Sequence, residues 1–245
     1  MSYIILLPIL SILCLKSLAH DLPVDCANIP PSFYCKNEDL TKHCDVDNLC
    51  KNIEKNAFGK KIQMTLLYET LCPDSQRFFP KLVEFMEEYG KFVELEMVPV
   101  GNANYAPNGT LLCQHGPDEC LGNKYHACAL KVVKEPMQYL NCTMLYWLYK
   151  IPLMDGLQIC ETYISQHELM DIRKCVYDGT ADRIQAANFN KTKSGWPERH
   201  QGVPWMFFNS VSMRAAQFHM RDLSGAICDW YQGNEAAPKR CDKLS

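Results

Sequence analysis

The stretch Lys61 to Phe79 reads KIQMTLLYETLCPDSQRFF. Residues 61–69 are short, apolar and β-prone in the middle, which predicts a buried strand. Cys72 follows, and Pro73 suits the first turn of a helix. Phe78, Phe79, Leu82, Val83, Phe85 and Met86 then recur at helical spacing up to Gly90, a stop signal, with Pro80 predicting a kink inside the run. In residues 91–98, KFVELEMV, the apolar Phe92, Val93, Leu95, Met97 and Val98 alternate with Glu94 and Glu96, predicting a second strand. Strand, cysteine-bearing helix and strand form a βαβ unit. A dithiol redox site carries Cys-x-x-Cys at such a junction, whereas here the fourth position is Ser75.

Beyond this unit, residues 102–110, NANYAPNGT, read as a turn-rich loop. From Glu119 to about Asn188 the pattern is mostly helical, with breaks near Pro136, Pro152 and Gly179. Gly195-Trp196-Pro197 marks a further boundary. Residues 205–213, WMFFNSVSM, predict a strand pair around Asn209-Ser210. Residues 221–232 predict a closing amphipathic helix with Leu223, Ala226, Ile227 and Trp230 inward. No internal repeat is present.

The chain has 245 residues, 47% of them hydrophobic, enough for one large domain or two small ones. The net charge of −3, without a long run of like charge, argues against a nucleic-acid partner. Ile4 to Leu15 is apolar but too short to span a bilayer, and Ser17 and Ala19 follow at signal-peptidase spacing, so residues 1–19 read as a signal peptide. No later apolar run approaches a membrane span. The sequence holds fourteen cysteines, and Cys14 falls in the signal peptide. The other thirteen are Cys26, Cys35, Cys44, Cys50, Cys72, Cys113, Cys120, Cys128, Cys142, Cys160, Cys175, Cys228 and Cys241. An odd number leaves at least one thiol without an intramolecular partner. If that thiol is Cys72, the other twelve can form six disulfides, as an oxidising compartment favours. Sequons at Asn108, Asn141 and Asn190 agree with secretion.

Cys26, Cys35, Cys44 and Cys50 cluster in a segment too short to bury much core, so they are expected to pair among themselves. The segment resembles a saposin A-type module: Tyr34-Cys35 supplies its aromatic–cysteine pair, while Pro30-Pro31 stands where that family has Gly-Pro. A plain secreted disulfide knot is the other reading. A zinc site fits less well, because Cys-x₂-Cys pairs are absent.

Cys113 to Cys128 reads CQHGPDECLGNKYHAC. From the residues alone, a helix opening at Glu119 would place Cys120, Asn123, Ala127 and Cys128 on one face, able to bridge to neighbours. Gln114 and His115 read as loop hydrogen-bonders, and no metal site is expected. The segment also resembles the signature of the gamma-interferon-inducible lysosomal thiol reductase family, Cys-Gln-His-Gly-x₂-Glu-Cys-x₂-Asn-x₄-Cys. All its fixed positions are present, at Cys113, Gln114, His115, Gly116, Glu119, Cys120, Asn123 and Cys128. The resemblance implies an α/β, thioredoxin-like fold over residues 60–235, with a helical insertion at about 111–195. A small disulfide-rich helical module at 20–55 would precede it and a tail, 236–245, would follow. It also implies that Gly202-Val203-Pro204-Trp205 is the loop with a cis-proline. The backbone at Val203 and Pro204 would then lie beside Cys72 and pair with a substrate chain in β fashion.

The family's chemistry implies a thiol–disulfide oxidoreductase acting on protein disulfides at acidic pH, secreted or lysosomal. Cys72 would be the attacking thiol. The resemblance does not carry over whole, because Ser75 cannot form the internal disulfide that resolves the intermediate. A monothiol enzyme would need no bound cofactor, only an external small thiol as reductant. The competing reading is a non-enzymatic fold that binds or covalently traps peptide or protein partners.

Overall fold

The computed structural model describes residues 25–243; the expected signal peptide, with Cys14, lies outside the described residues. Strand β1 (Ile62–Tyr68) is the centre of a three-stranded sheet, between β2 (Val93–Pro99) and β5 (Trp205–Phe208). It runs parallel to β2, pairing Ile62 with Val93 and Tyr68 with Pro99. It runs antiparallel to β5, pairing Leu66 with Met206. β1 is also covered on both faces, hence its nearly continuous apolar run. Met64, Leu66 and Tyr68 enter the main core, while Leu67 meets Val98, Trp205 and Phe207 on the other side. Each fully buried aliphatic side chain contributes roughly 2 kcal/mol.

Helix α4 (Pro73–Tyr89) connects β1 to β2 and lays Phe78, Phe79, Leu82 and Phe85 on the core. It passes through Pro80 without ending. Tyr68 meets Phe79 edge to face, with ring centroids 5.0 Å apart.

The helical insertion lies between β2 and β5. It comprises α5 (Pro117–Val132), α6 (Met137–Leu148), α7 (Leu153–Cys160), α8 (Gln166–Tyr177) and α9 (Thr180–Lys193). Cys128–Cys175 joins α5 to α8 and Cys142–Cys160 joins α6 to α7. Ser165 and Glu168 form a reciprocal capping box at the start of α8. A buried polar chain ties the insertion to the sheet. Thr143 donates its hydroxyl to the Leu140 carbonyl (2.8 Å), so it accepts from His126 Nε2 (2.8 Å); Nδ1 then accepts from Tyr68 O–H (3.0 Å). His126 is fully buried, and burial pushes its pKa down to about 3.

Before the sheet come α1 (Pro31–Tyr34), α2 (Glu38–His43) and α3 (Asp47–Ala57). Cys26–Cys44 and Cys35–Cys50 tie them together. This segment shares the main core: Tyr34, Leu49 and Ile53 belong to it, and Tyr34 O–H reaches Met213 Sδ at 3.0 Å. After the sheet, α10 (Leu223–Trp230) buries Leu223, Ala226, Ile227 and Trp230, and Cys228–Cys241 fastens the tail to it.

The predicted strand pair over 205–213 is a correction. Only β5 is a strand; Asn209 and Ser210 (φ 47° and 67°) turn the chain, and Val211 makes a single bridge to Phe208. Ser212 N–H then donates to Trp196 O and its carbonyl accepts from Glu198 N–H, so this backbone pairs with the 196–198 loop instead. The loop predicted at 102–110 also contains a two-residue strand, β3 (Asn104–Tyr105), paired with β4 (Leu111–Leu112). The Trp196–Pro197 bond is cis, which the sequence reading did not anticipate.

Candidate active site

Cys72 is the residue that caps the N-terminus of α4. Among the described residues it is the one free cysteine, and it is 8% exposed. Its thiol does not cap the helix. It donates to the carbonyl oxygen of Val203 at 3.5 Å, and the Val203–Pro204 bond is cis. The attacking-thiol candidate and the proline loop therefore meet at one point, at one end of the antiparallel β1–β5 pair. Asp74 and Arg77, of opposing charge in the sequence, pair with each other at 3.1 Å on the exposed side. Such an exposed pair adds little to stability. Ser75 is fully buried, and its Oγ accepts from the Glu69 backbone N–H at 3.5 Å.

The segment that delivers Cys72 is gripped from the insertion. Asn123 Oδ1, on α5, accepts from both Thr70 N–H (3.0 Å) and Thr70 O–H (2.9 Å). Gln76 Nε2 donates to Thr70 O at 2.8 Å. Helix α5 can approach this closely because residue 122 is glycine: a Cβ there would lie 2.6 Å from Thr70 Oγ1. Thr70, Ser75, Gln76 and Asn123 are all buried, so their hydrogen bonds fix the Cys72 loop rather than compete with water.

The family model described as "Gamma interferon inducible lysosomal thiol reductase (GILT)" matches residues 63–150. GILT-like protein 1 of Drosophila melanogaster is 36% identical over 203 residues, covering 75% of this chain and 79% of that protein. The chain belongs to the GILT family. The gamma-interferon-inducible lysosomal thiol reductase of Carassius auratus is 27% identical over 231 residues, covering 91% of this chain and 88% of that protein. Among solved structures, the oxidoreductase DsbA from Xylella fastidiosa is 17% identical, covers 68% of this chain and 88% of its own, and has a TM-score of 0.45. That likeness is too distant to carry an argument. The thioredoxin-like fold is read from the βαβ unit, the antiparallel β5 and the cis-proline facing the helix-start cysteine.

In this GILT-family chain the signature residues do positional work. Cys113–Cys120 closes the loop leading into α5, and Gly116 turns it at φ 91°. Glu119 is fully buried; its Oε1 accepts from His115 N–H at 3.0 Å and its Oε2 lies 2.5 Å from His115 Nδ1. Gln114 Oε1 accepts from Asn102 Nδ2 at 2.6 Å, the loop role expected of it. Cys120, expected to face the same way as Cys128, bonds locally to Cys113; Cys128 bridges to α8.

Glu69 is a residue that the sequence reading missed. It is fully buried at the end of β1, and its Oε1 accepts from Asn102 N–H at 2.5 Å. Gly101, at φ 54°, makes room for it: a Cβ there would lie 2.3 Å from Glu69 Cγ. Burial, reinforced by the charge of Glu119, raises the Glu69 pKa to about 7, against the opposing pull of Asn102 N–H and His115. An acidic residue closing an apolar strand was the available signal. Among the three sequons, Asn108 and Asn190 are exposed, whereas Asn141 lies within α6 with its amide oxygen buried.

Proposed function

We propose that this chain is a thiol–disulfide oxidoreductase that acts on protein disulfides with Cys72 as its only working thiol. The observation that supports this most is the free Cys72 sulfur at a helix start, 3.5 Å from the carbonyl beside the cis-proline. Unpaired N–H groups at a helix start favour negative charge on a sulfur there. The thiolate of Cys72 attacks one sulfur of a substrate disulfide. A Cys72–substrate disulfide forms, and the other substrate sulfur leaves as a thiolate. The backbone at Val203 and Pro204 holds the substrate strand in β fashion during attack. Ser75 supplies no second thiol, so a small external thiol attacks the Cys72 sulfur and releases the second substrate thiol. A second external thiol then frees Cys72. The net change is one substrate disulfide reduced and two external thiols oxidised to one disulfide.

Family membership and the twelve bridged cysteines support a site of action in the secretory pathway, outside the cell or in the acidic lysosome. No helix among the described residues is long and apolar enough to cross a membrane. The test is reduction of a disulfide-bonded peptide at pH 5 by the wild-type chain and by Cys72→Ser, each with and without added small thiol. Sustained reduction requires both Cys72 and the added thiol. If the peptide stays bound to Cys72 under excess thiol, the chain is a covalent trap rather than an enzyme, the alternative that Ser75 favours.

A further inference from the structure

Three side chains converge beneath the signature loop: a carboxylate oxygen of Glu69, a ring nitrogen of His115 and a carboxylate oxygen of Glu119 all lie within 4.8 Å of one another. Both carboxyl groups are fully buried, while the His115 side chain is one-third exposed. Each carboxylate is aimed by its other oxygen. Glu69 Oε1 is held by Asn102 N–H and Glu119 Oε1 by His115 N–H. This outer shell orients ligands in protein metal sites. The three segments are themselves fixed, by the Gly101 turn under Glu69 and by the Cys113–Cys120 bridge around His115.

One polar atom in this set has no hydrogen-bond partner among the described residues. Nδ1 of His115 carries at most one proton, and Glu119 Oε2 lies 2.5 Å from it. Glu69 Oε2 lies 3.4 Å from the same nitrogen and, among the described residues, has no hydrogen-bond partner.

We propose that Glu69, His115 and Glu119 form a binding site for a divalent transition-metal cation of the zinc class. One imidazole and two carboxylates suit zinc, which binds such donors at about 2.0–2.2 Å and so spaces them about 3.3 Å apart in a tetrahedron. The pair of His115 and Glu69 already stands at 3.4 Å. The pair of His115 and Glu119 opens by less than about 1 Å to match. Calcium asks for six to eight oxygen ligands and fits this set poorly. The exposed side, at His115, is the entry path and the place of a fourth, water ligand. The site is distinct from the thiol of Cys72, whose described contact is Val203 O. It would pin the signature loop to the end of β1, three residues before Cys72 in the chain.

The experiment uses the full chain with Cys72→Ser, so that no thiol can bind metal and the six disulfides remain. Zinc binding is measured by competition with a chromophoric chelator after prior stripping of metal. Cobalt substitution reports the ligand type. The expected result is one equivalent of zinc, and a cobalt spectrum of nitrogen and oxygen ligands without sulfur charge transfer. Adding Glu69→Gln or His115→Asn should weaken zinc binding by about 100-fold or more, at least the upper end of what a change of outer-shell residue does. His115 is partly exposed, so its variant reports even if the Glu69 variant fails to fold. Absence of zinc binding in the Cys72→Ser chain, or unchanged affinity in His115→Asn, overturns the proposal.

Discussion

Ser75 lies one helical turn beyond Cys72, fully buried, with its oxygen turned to Glu69 N–H. A sulfur in that place would be a built-in second thiol. Ser75→Cys is therefore expected to raise the rate of substrate release about tenfold or more, because an intramolecular attack replaces a bimolecular one. Single-turnover kinetics with a disulfide peptide would check this; an unchanged release rate would mean that position 75 does not reach the intermediate. His126 makes a second residue-scale prediction. Its pKa is pushed down to about 3 by burial among Tyr68, Phe79, Trp147 and Thr143, against about 6.5 in the unfolded chain. The unfolded state then binds the extra proton first. The contribution of neutral His126 is fully present above pH 6.5 and is lost as pH falls toward 3. On the order of 2 kcal/mol goes between pH 7 and pH 5. The gap in unfolding free energy between the wild type and His126→Gln should narrow by about that amount over this range. Denaturant titrations at the two pH values measure it, and a constant gap would contradict it.

At the scale of elements, the contact that matters most is α5 against the turn between β1 and α4. Asn123→Ala would leave Thr70 N–H buried without its acceptor, at a cost of about 1–3 kcal/mol. Gly122→Ala would push a methyl group to 2.6 Å from Thr70 Oγ1, so α5 would have to retreat. Both variants should slow adduct formation at Cys72 while leaving the cysteine in place, as timed thiol labelling of the folded protein would show. A rate equal to wild type in both would mean that the grip of α5 on Thr70 does not position the thiol. Much of this architecture was legible in the sequence. The β1–α4–β2 unit, the helical insertion with its breaks at Pro136, Pro152 and Gly179, and the inward face of α10 follow from local periodicity and punctuation, whereas the further break between α7 and α8 was not foreseen. Cys72 and Ser75 were legible through a local motif, and the Val203–Pro204 loop only through the family resemblance. The return arm after Asn209-Ser210 was not, because its hydrogen bonds go to Trp196 and Glu198, a partner that no strand pattern names. Glu69, Thr70 and Asn102 were missed for a similar reason. Their roles exist only where β1, the 101–102 turn and the signature loop meet, and no spacing within one segment encodes that meeting.

The whole molecule is stapled around a core that its N-terminal helices share. Tyr34, from α1, is completely buried and reaches Met213 near the other end of the chain. Truncating it with Tyr34→Ala should cost about 3–5 kcal/mol, as for other large aromatic deletions in a core. A loss below about 1 kcal/mol in denaturant unfolding would show instead that the N-terminal segment is only tethered to the sheet. Six disulfides close over Cys26–Cys44, Cys35–Cys50, Cys113–Cys120, Cys128–Cys175, Cys142–Cys160 and Cys228–Cys241. They leave Cys72 as the free thiol among the described residues, and that is the basis of single-thiol chemistry. The most direct test mixes the native protein with a disulfide-bonded peptide in the absence of any other thiol, quenches with acid and maps the products by mass spectrometry. The expected result is one peptide joined to each chain through Cys72, one peptide thiol released, and all six bridges intact. A Cys72 bonded to another cysteine of its own chain, or an adduct mapped to any other residue, would contradict it.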